Sequence, residues 1–358
     1  MKKGLFLPLL FLYYFSNGQE VKISNLKPVL VSCTPVKDQY MSATCWSFSS
    51  TSLLESEMLR TGKGQTDLSE MFIARYSMVR KIRRHLQQKG SNFFTPGGQF
   101  HDAVWVMKNF GMVPEEVYSG KGRNESQHNH AEMDTLLAKF VRYCIAKGIT
   151  ELNPRQQFFV DSVLDHYLGI VPAQFDYRGR TYTPRSFLEQ YLDIDPDDYV
   201  EITSYTHHPF YSKFVLEDKY NWTGDEYWNV PLTDFSRISK TALDNGYTVG
   251  WDGDANDAGF QYYDGRAALQ GTTGRPGTEE RQRAFEDQST LLDHMMHIVG
   301  RTNGPGETWY YVKNSWGNST NSLGGYLFMR EDYFLMRTVA IIVNKQAIPF
   351  DIGRKLGL

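Results

Sequence analysis

A thiol, an imidazole and two side-chain amides are spaced along this chain of 358 residues in a way that can support attack on a carbonyl. The thiol is Cys45, in the run Gln39-Tyr-Met-Ser-Ala-Thr-Cys45-Trp-Ser-Phe, where the pattern turns helical. A cysteine in the first turn of a helix faces unpaired backbone N–H groups and the positive end of the helix dipole, both of which favour the thiolate. Those N–H groups can also stabilise the oxyanion formed when a thiolate attacks a carbonyl. Gln39, upstream, offers the second donor that such an intermediate requires. Taken alone, a cysteine at a helix start is more often core packing than a nucleophile, so a proton acceptor and its orienting partner must be found elsewhere. Leu292-Asp293-His294-Met-Met-His-Ile-Val-Gly300 and Val312-Lys313-Asn314-Ser315-Trp316-Gly317 supply them. An imidazole can take and return a thiol proton, and an amide oxygen can hold the other ring nitrogen in one tautomer. His297 is the competing histidine. It lies three residues beyond His294 in a strand-like run, so alternation turns it to the opposite face.

In chain order and local spacing, Gln39, Cys45-Trp46, Asp293-His294 ending in Gly300, and Asn314-Ser315-Trp316-Gly317 resemble the papain superfamily. Leu68-Ser-Glu-Met71, Pro96-Gly-Gly-Gln99, Tyr199-Val200-Glu201 and the aromatic-rich stretch around Tyr211 and Tyr220 look like its bleomycin hydrolase and aminopeptidase C branch. The resemblance implies a cysteine-type peptidase acting through an acyl-enzyme, with peptide substrates, no cofactor and no metal, and it allows a homo-oligomer. By position it makes Cys45 the nucleophile, His294 the general base and acid, Asn314 the orienter, and Gln39 an oxyanion donor with the Cys45 backbone N–H. Trp316 would shield the His294–Asn314 pair from water, Gly97 and Gly98 would let a substrate backbone approach, and Asp293 joins the substrate-binding set. Aminopeptidase action is the leading expectation, because in that branch the C-terminal tail lies in the cleft and holds the substrate ammonium. Here the tail would be residues 350–358. A cysteine endopeptidase or dipeptidase-like enzyme is the first alternative, and a secreted papain-like scaffold that binds peptides without turnover is the second.

The elements that must position these residues read as an α+β fold. The resemblance implies a papain-like form in two lobes, with a helical lobe, a helical insertion and an antiparallel β-barrel-like lobe. The segments expected are a signal peptide at 1–18, a helical lobe carrying the nucleophile at 29–130, and a helical insertion at 131–195. A β-rich lobe carrying the histidine and asparagine follows at 196–349, then a tail at 350–358. The helix opening at Cys45 runs to about Arg60. Phe100, Ala103, Val104, Met107 and Phe110 recur at helical spacing with Gly111 as a stop, and Met133, Leu136, Leu137, Phe140, Val141 and Cys144 form a stripe ended by Gly148. Further helices are predicted at 155–168, at 183–192 behind the cap pair Thr183-Pro184, and at 231–243. Strands are predicted at 247–251, 295–299, 308–313, 326–329 and 338–343, separated by Gly, Pro and Asn clusters. The glycine- and charge-rich stretch 271–288 reads as a surface excursion.

Composition sets the outer bounds. With 41% hydrophobic and 22% charged residues the chain can bury a substantial core, and a net charge of -3 without a long basic run excludes nucleic acid as an expected partner. Cys33, Cys45 and Cys144 are too few for a disulfide framework, and a Cys33–Cys144 bridge stays open beside the reading of two inert thiols. Lys2 and Lys3, the apolar run Leu5 to Phe15 and Ser16-Asn17-Gly18 form a signal-peptide pattern. Its apolar run is shorter than the roughly 20 residues of a membrane span. It predicts export to the periplasm or exterior, with no stable membrane partner after cleavage, although familiar members of the branch are cytoplasmic. Asp252-Gly-Asp254-Ala-Asn256-Asp257 reads as an acidic turn, not a calcium loop, since glycine is absent at the sixth position and Tyr263 stands where a bidentate glutamate belongs. His207-His208 and His128/His130 lack the partner set of a metal site.

Overall fold

A computed structural model describes residues 21–122, 125–271, 274–304 and 307–358, so residues 1–18, expected from their pattern to be a signal peptide, lie outside the described residues. Helices dominate up to residue 192: α1 (Cys45–Arg60), α2 (Glu70–Gln87), α3 (Phe100–Phe110), α4 (Ala131–Ala146) and α5 (Pro154–Leu168). Their starts are chemically marked. The Ser69 hydroxyl accepts from the Phe72 N–H at 3.1 Å, Asn153 and Gln156 cap each other ahead of Pro154, and the Asp102 carboxylate accepts the Gln99 N–H at 3.0 Å. α6 (Pro184–Ser186) starts under Thr183, as the cap pair predicts, but residues 187–192 continue it as a wider π turn that ends at Asp193 with φ 50°. These helices, with a small hairpin at 175–182, enclose one apolar core that includes Met58, Phe72, Ile82, Val106, Leu137 and Phe187.

The strands are β1 (Val29–Leu30), β2 (Phe175–Tyr177), β3 (Arg180–Tyr182), β4 (Tyr199–Thr203), β5 (Ser212–Val215), β6 (Glu226–Asn229), β7 (Val249–Gly253), β8 (Phe260–Gln261), β9 (Arg266–Ala267), β10 (His294–Gly304), β11 (Glu307–Lys313), β12 (Tyr326–Arg330) and β13 (Thr338–Asn344). Between and after them lie α7 (Leu232–Asp244), α8 (Thr278–Glu286), α9 (Glu331–Arg337) and α10 (Phe350–Leu356). Eleven strands make one sheet in the order β5-β6-β4-β13-β7-β10-β11-β12-β9-β8, with β1 added against β10, and β2 and β3 pair only with each other. Pairing is antiparallel except between β4 and β6 and between β12 and β9.

The β-barrel-like lobe expected from the resemblance is not what forms: the sheet is open, and its edge strands β5 and β8 do not pair with each other. Closure needs both edges to meet in a staggered register. One edge here is only Phe260–Gln261, and the middle of the sheet buries both its faces against helices instead of curling on itself. Alternation along β10 makes the two faces explicit. Met295 belongs to the core under α1 and α3, whereas Met296 and Ile298 join Phe235, Ile238 and Phe334 in the core under α7 and α9.

The stretch read as a surface excursion also proves partly structural. Within it, α8 buries Arg281, whose guanidinium donates to the carbonyls of Ser204 at 2.8 Å, Leu335 at 2.8 Å and Val339 at 3.3 Å. A buried guanidinium satisfied by backbone acceptors ties α8 to the ends of β4 and β13, which charge content alone does not reveal. All three cysteines are free, with Cys144 buried in the first core and the Cys33 thiol 3.7 Å from the Tyr326 hydroxyl.

Candidate active site

Cys45 is the first residue of α1, after Thr44 as N-cap. The loop before it is tied to the segment after β11: the Gln39 N–H donates to the Ser315 carbonyl at 2.8 Å, the Gly317 N–H donates to the Lys37 carbonyl at 3.1 Å, and Asp38 and Trp316 form an antiparallel bridge. Lys37 anchors this loop to the helices through Glu55 at 2.9 Å, Asp67 at 2.5 Å and Glu70 at 2.6 Å. The Ser315 hydroxyl donates to Gln39 Oε1 at 2.7 Å, so the oxygen end of that buried amide is occupied and Nε2 is its remaining donor. Nothing in the sequence marks this role for Ser315 except its place directly after Asn314. If the Gln39 amide stabilises an oxyanion, Gln39→Ala should lower kcat by about 10²–10³-fold with little change in KM. Ser315→Ala should cause a smaller loss of the same kind, and steady-state kinetics showing a KM effect alone would assign Gln39 to ground-state binding.

His294 opens β10 and pairs with Gly253 of β7. Its Nε2 lies 2.8 Å from Asn314 Oδ1, and the same oxygen accepts the Ser315 N–H at 2.8 Å. Because a backbone donor already fixes that atom as the oxygen, the histidine must donate to it from Nε2, which leaves Nδ1 as the basic nitrogen. The Trp316 ring covers the imidazole at 4.7 Å between centroids, and Tyr262 stands edge-on to Trp316 at 4.8 Å. Excluding water in this way strengthens the His294–Asn314 hydrogen bond. Burial pulls the His294 pKa down to about 4, with the Asn314 bond opposing it only in part.

Cys45 and His294 line one cleft with about 230 Å³ of empty space, together with Trp46, Gly97, Gly98, Tyr220, Asp252, Leu292, Asp293 and Met295. Burial pushes the Cys45 thiol up to about 12, the N–H groups of Met295 and Trp46 pull it back, and a negative charge on Asp252 or Asp293, where either is ionised, adds to the rise. Neither a lone thiolate nor a lone imidazolium is therefore stable here. A thiolate is accessible when its proton passes to His294, so that the two charges form as a pair.

The remaining walls explain the glycines. A Cβ on Gly98 would come within 2.8 Å of the Trp46 ring and 2.9 Å of Asp102 Oδ2, and one on Gly97 would come within 2.9 Å of Tyr220. Lys81, buried in α2, holds their loop by donating to the carbonyls of Thr95 and Gly97, while the Trp46 indole donates to the Pro96 carbonyl at 3.2 Å. The Asp293 carboxylate accepts the Ala255 N–H at 2.9 Å and the Asn256 amide at 2.6 Å, so it braces the 254–257 turn as well as lining the cleft. Its pKa is raised by burial to about 6.

Around Cys45 the structure thus gathers Gly97, Gly98, Asp293 and His294 in the cleft wall. Asn314 and Trp316 stand against the histidine, and Gln39 is bound to Ser315 next to Asn314. His297 is elsewhere, with Nδ1 2.8 Å from the Ser52 hydroxyl of α1. His207 and His208 both meet Glu217, at 3.1 Å and 2.6 Å, so these histidines do have a nearby acidic partner, nine to ten residues downstream, with the three side-chain ends within 4.8 Å of one another. The acidic-turn reading holds for Asp254, whose Oδ1 accepts the N–H groups of Asn256 and Asp257, but not for Asp252, a wholly buried residue of β7 that lines the cleft. Residues 350–358, expected in the cleft, are absent from its lining. They form α10 and its end, held by Asp351 to Arg237 of α7 and by Lys355 to the Tyr211 hydroxyl at 3.0 Å.

A family model described as the peptidase C1-like family matches residues 69–357, a span that contains His294 and Asn314 and begins after Cys45. Among curated relatives, the chain is 22% identical to an aminopeptidase C of Streptococcus thermophilus, over 87% of this chain and 80% of that protein. It is 24% identical to an aminopeptidase G of Lactobacillus delbrueckii subsp. lactis, over 88% of this chain and 82% of the relative. A mitochondrial cysteine proteinase 1 of Saccharomyces cerevisiae is 22% identical, over 91% of this chain and 78% of its own length. Among solved structures, PepW from Lactobacillus rhamnosis HN001 superposes with a TM-score of 0.71 at 18% identity, over 92% of this chain and 84% of PepW, which establishes the likeness of fold.

Proposed function

This chain belongs to the peptidase C1-like family, in its aminopeptidase C and bleomycin hydrolase branch, and we propose that it hydrolyses peptide bonds with Cys45 as nucleophile, removing residues from substrate N-termini. The observation that carries the reading is the 2.8 Å bond from His294 to Asn314 on the wall of the cleft that Cys45 opens. The Cys45 proton passes to His294 Nδ1, and the thiolate sulfur adds to the scissile carbonyl carbon. The carbonyl oxygen becomes an oxyanion facing the Cys45 N–H and Gln39 Nε2. His294 then gives its proton to the leaving amine as the C–N bond breaks, and later takes one from the water that hydrolyses the thioester.

Removal of N-terminal residues is supported by the names of the bacterial relatives. Endopeptidase action is favoured by one observation: residues 350–358 leave the cleft unobstructed by lying along α7. Two measurements decide. A thiol-directed peptidase inhibitor should label Cys45 in preference to Cys33 and Cys144, and free-amino aminoacyl amides should be cleaved faster than the same amides N-acetylated. Equal cleavage of both classes would replace the aminopeptidase reading with the endopeptidase one, and labelling of Cys33 or Cys144 with Cys45 spared would remove the mechanism.

A further inference from the structure

Asp252 is the one carboxylate in the cleft wall whose oxygens both lack a hydrogen-bond partner among the described residues, and it is 0% exposed. Its position follows from register. Asp252 of β7 faces Met295 of β10 on one side and Ala340 of β13 on the other. It shares a face with Gly250, where a Cβ would meet Phe100 of α3, so its side chain points toward the helices, as Met295 does. The Met295 N–H is a donor to the Cys45 thiol, which places the carboxylate one strand away from the reacting sulfur.

A buried carboxylate without a partner is costly unless it is neutral or a cation meets it. The groups that act on Asp252 do not supply that cation. They are Asp218 from the segment after β5, Glu201 from β4 and Asp293 before β10, and Asp252 in turn acts on Tyr205, Tyr227 and Cys45. Burial first, and these acidic neighbours next, raise its pKa well above the ordinary carboxylate range, a shift toward the protonated form that a nearby cation would oppose. An arriving ammonium reverses the balance, because the acid can ionise once a cation is beside it.

We propose that Asp252 receives an alkylammonium group of the substrate, its free N-terminal ammonium, and so selects substrates whose first residue is the one acylating Cys45. The inference rests on the peptidase reading of the site and supplies the anion that residues 350–358 do not bring to the cleft. An α-ammonium is two bonds from the carbonyl carbon that the sulfur attacks, which suits a carboxylate one strand from the thiol. A basic side chain on the same residue offers the same chemistry from a second source.

The test compares Asp252→Asn with the native chain on alanyl, N-acetylalanyl and N-acetyllysyl amides. The ratio of kcat/KM for free over acetylated alanyl substrate should fall on the order of 10²-fold in the variant. A fall confined to N-acetyllysyl turnover would assign Asp252 to a basic side chain and overturn the α-ammonium assignment, as would an unchanged ratio. A second measurement does not need turnover. In the Cys45→Ala chain, titrating alanyl-alaninamide by calorimetry in buffers of different ionisation enthalpy should show a proton released on binding, and Cys45→Ala/Asp252→Asn should show none. Proton release that survives in the double variant overturns the proposal even if the native chain hydrolyses nothing. Hydrolysis by the native chain with an unaltered ratio in Asp252→Asn leaves the peptidase reading standing and removes only this residue.

Discussion

Cys45→Ala is expected to lower peptide hydrolysis by at least about 10⁴-fold while leaving substrate affinity nearly unchanged. The size of the loss follows from what the residue alone contributes. The cleft walls, the Gln39 amide and the backbone N–H at position 45 all survive the substitution, so whatever they give to binding and oxyanion stabilisation remains. The covalent route does not survive, because no other thiol lines the cleft among the described residues. Cys45→Ser should be nearly as inactive, since a hydroxyl beside an imidazole whose pKa is pulled down to about 4 gives up its proton far less readily than a thiol. Thermal unfolding should move little in either variant, because Cys45 is only partly buried and the substitution leaves its backbone hydrogen bonding in α1 intact. Single-turnover assays on a free-amino amide, with inhibitor titration to count active sites, measure the effect. Residual activity above a few per cent in both variants would end the case for Cys45 as nucleophile.

Why the residues of this site could be read from the sequence, while the shape of the sheet that carries them could not, has a physical cause. Cys45, His294 and Asn314 announce themselves through local context: a helix start, an acidic neighbour and an Asn-Ser-Trp-Gly run, each within a few positions. The helix from Phe100 to Phe110 and the one along Met133 to Cys144 are equally local, since a stripe and a stop glycine define each. Whether a sheet closes depends on which strands become edges, and nothing in Ser212–Val215 or Phe260–Gln261 states that they lie at opposite ends, nine positions apart, in one open sheet. Arg281 and Asp252 were misread for a related reason. Charge and glycine content near each suggests exposed chain, whereas burial arises from β13, which comes later in sequence and covers both. Asp252 shows the difference most sharply, because Asp254, Asn256 and Asp257 just after it do belong to a turn and only its pairing with Met295 and Ala340 removes it from solvent. Ser315 is the opposite case, a residue in plain view whose value lies in orienting an amide far upstream.

His294→Ala should cost as much as the loss of the nucleophile, about 10⁴-fold near neutral pH, and its pH profile separates a proton-transfer role from a structural one. In the native chain the reactive form holds one proton between Cys45 and His294. Adding a second proton requires a charged imidazole next to a neutral thiol, and burial holds that pKa down to about 4. Removing the last proton requires a thiolate next to a neutral imidazole, and burial holds that pKa up to about 12. If the ion pair is more stable than the neutral pair, both limits move outward, because the singly protonated form gains stability against either neighbour. The native activity should therefore persist as pH falls through the ordinary imidazole range and be lost only near pH 4, within the range where circular dichroism shows the fold intact. Asp293, whose pKa is raised to about 6, titrates inside this window, so Asp293→Asn serves as the control that should leave the acid limit in place. In His294→Ala no base remains to take the thiol proton, and turnover must wait for thiolate formed by solvent. The residual rate should then climb about tenfold per pH unit across neutral and alkaline pH, far below the raised thiol pKa, and added imidazole should restore part of it. A flat residual profile would mean that His294 shapes the cleft without moving the proton. An acid limit near pH 6.5 in the native chain would mean that the buried, Asn314-bound imidazole is not the group that titrates.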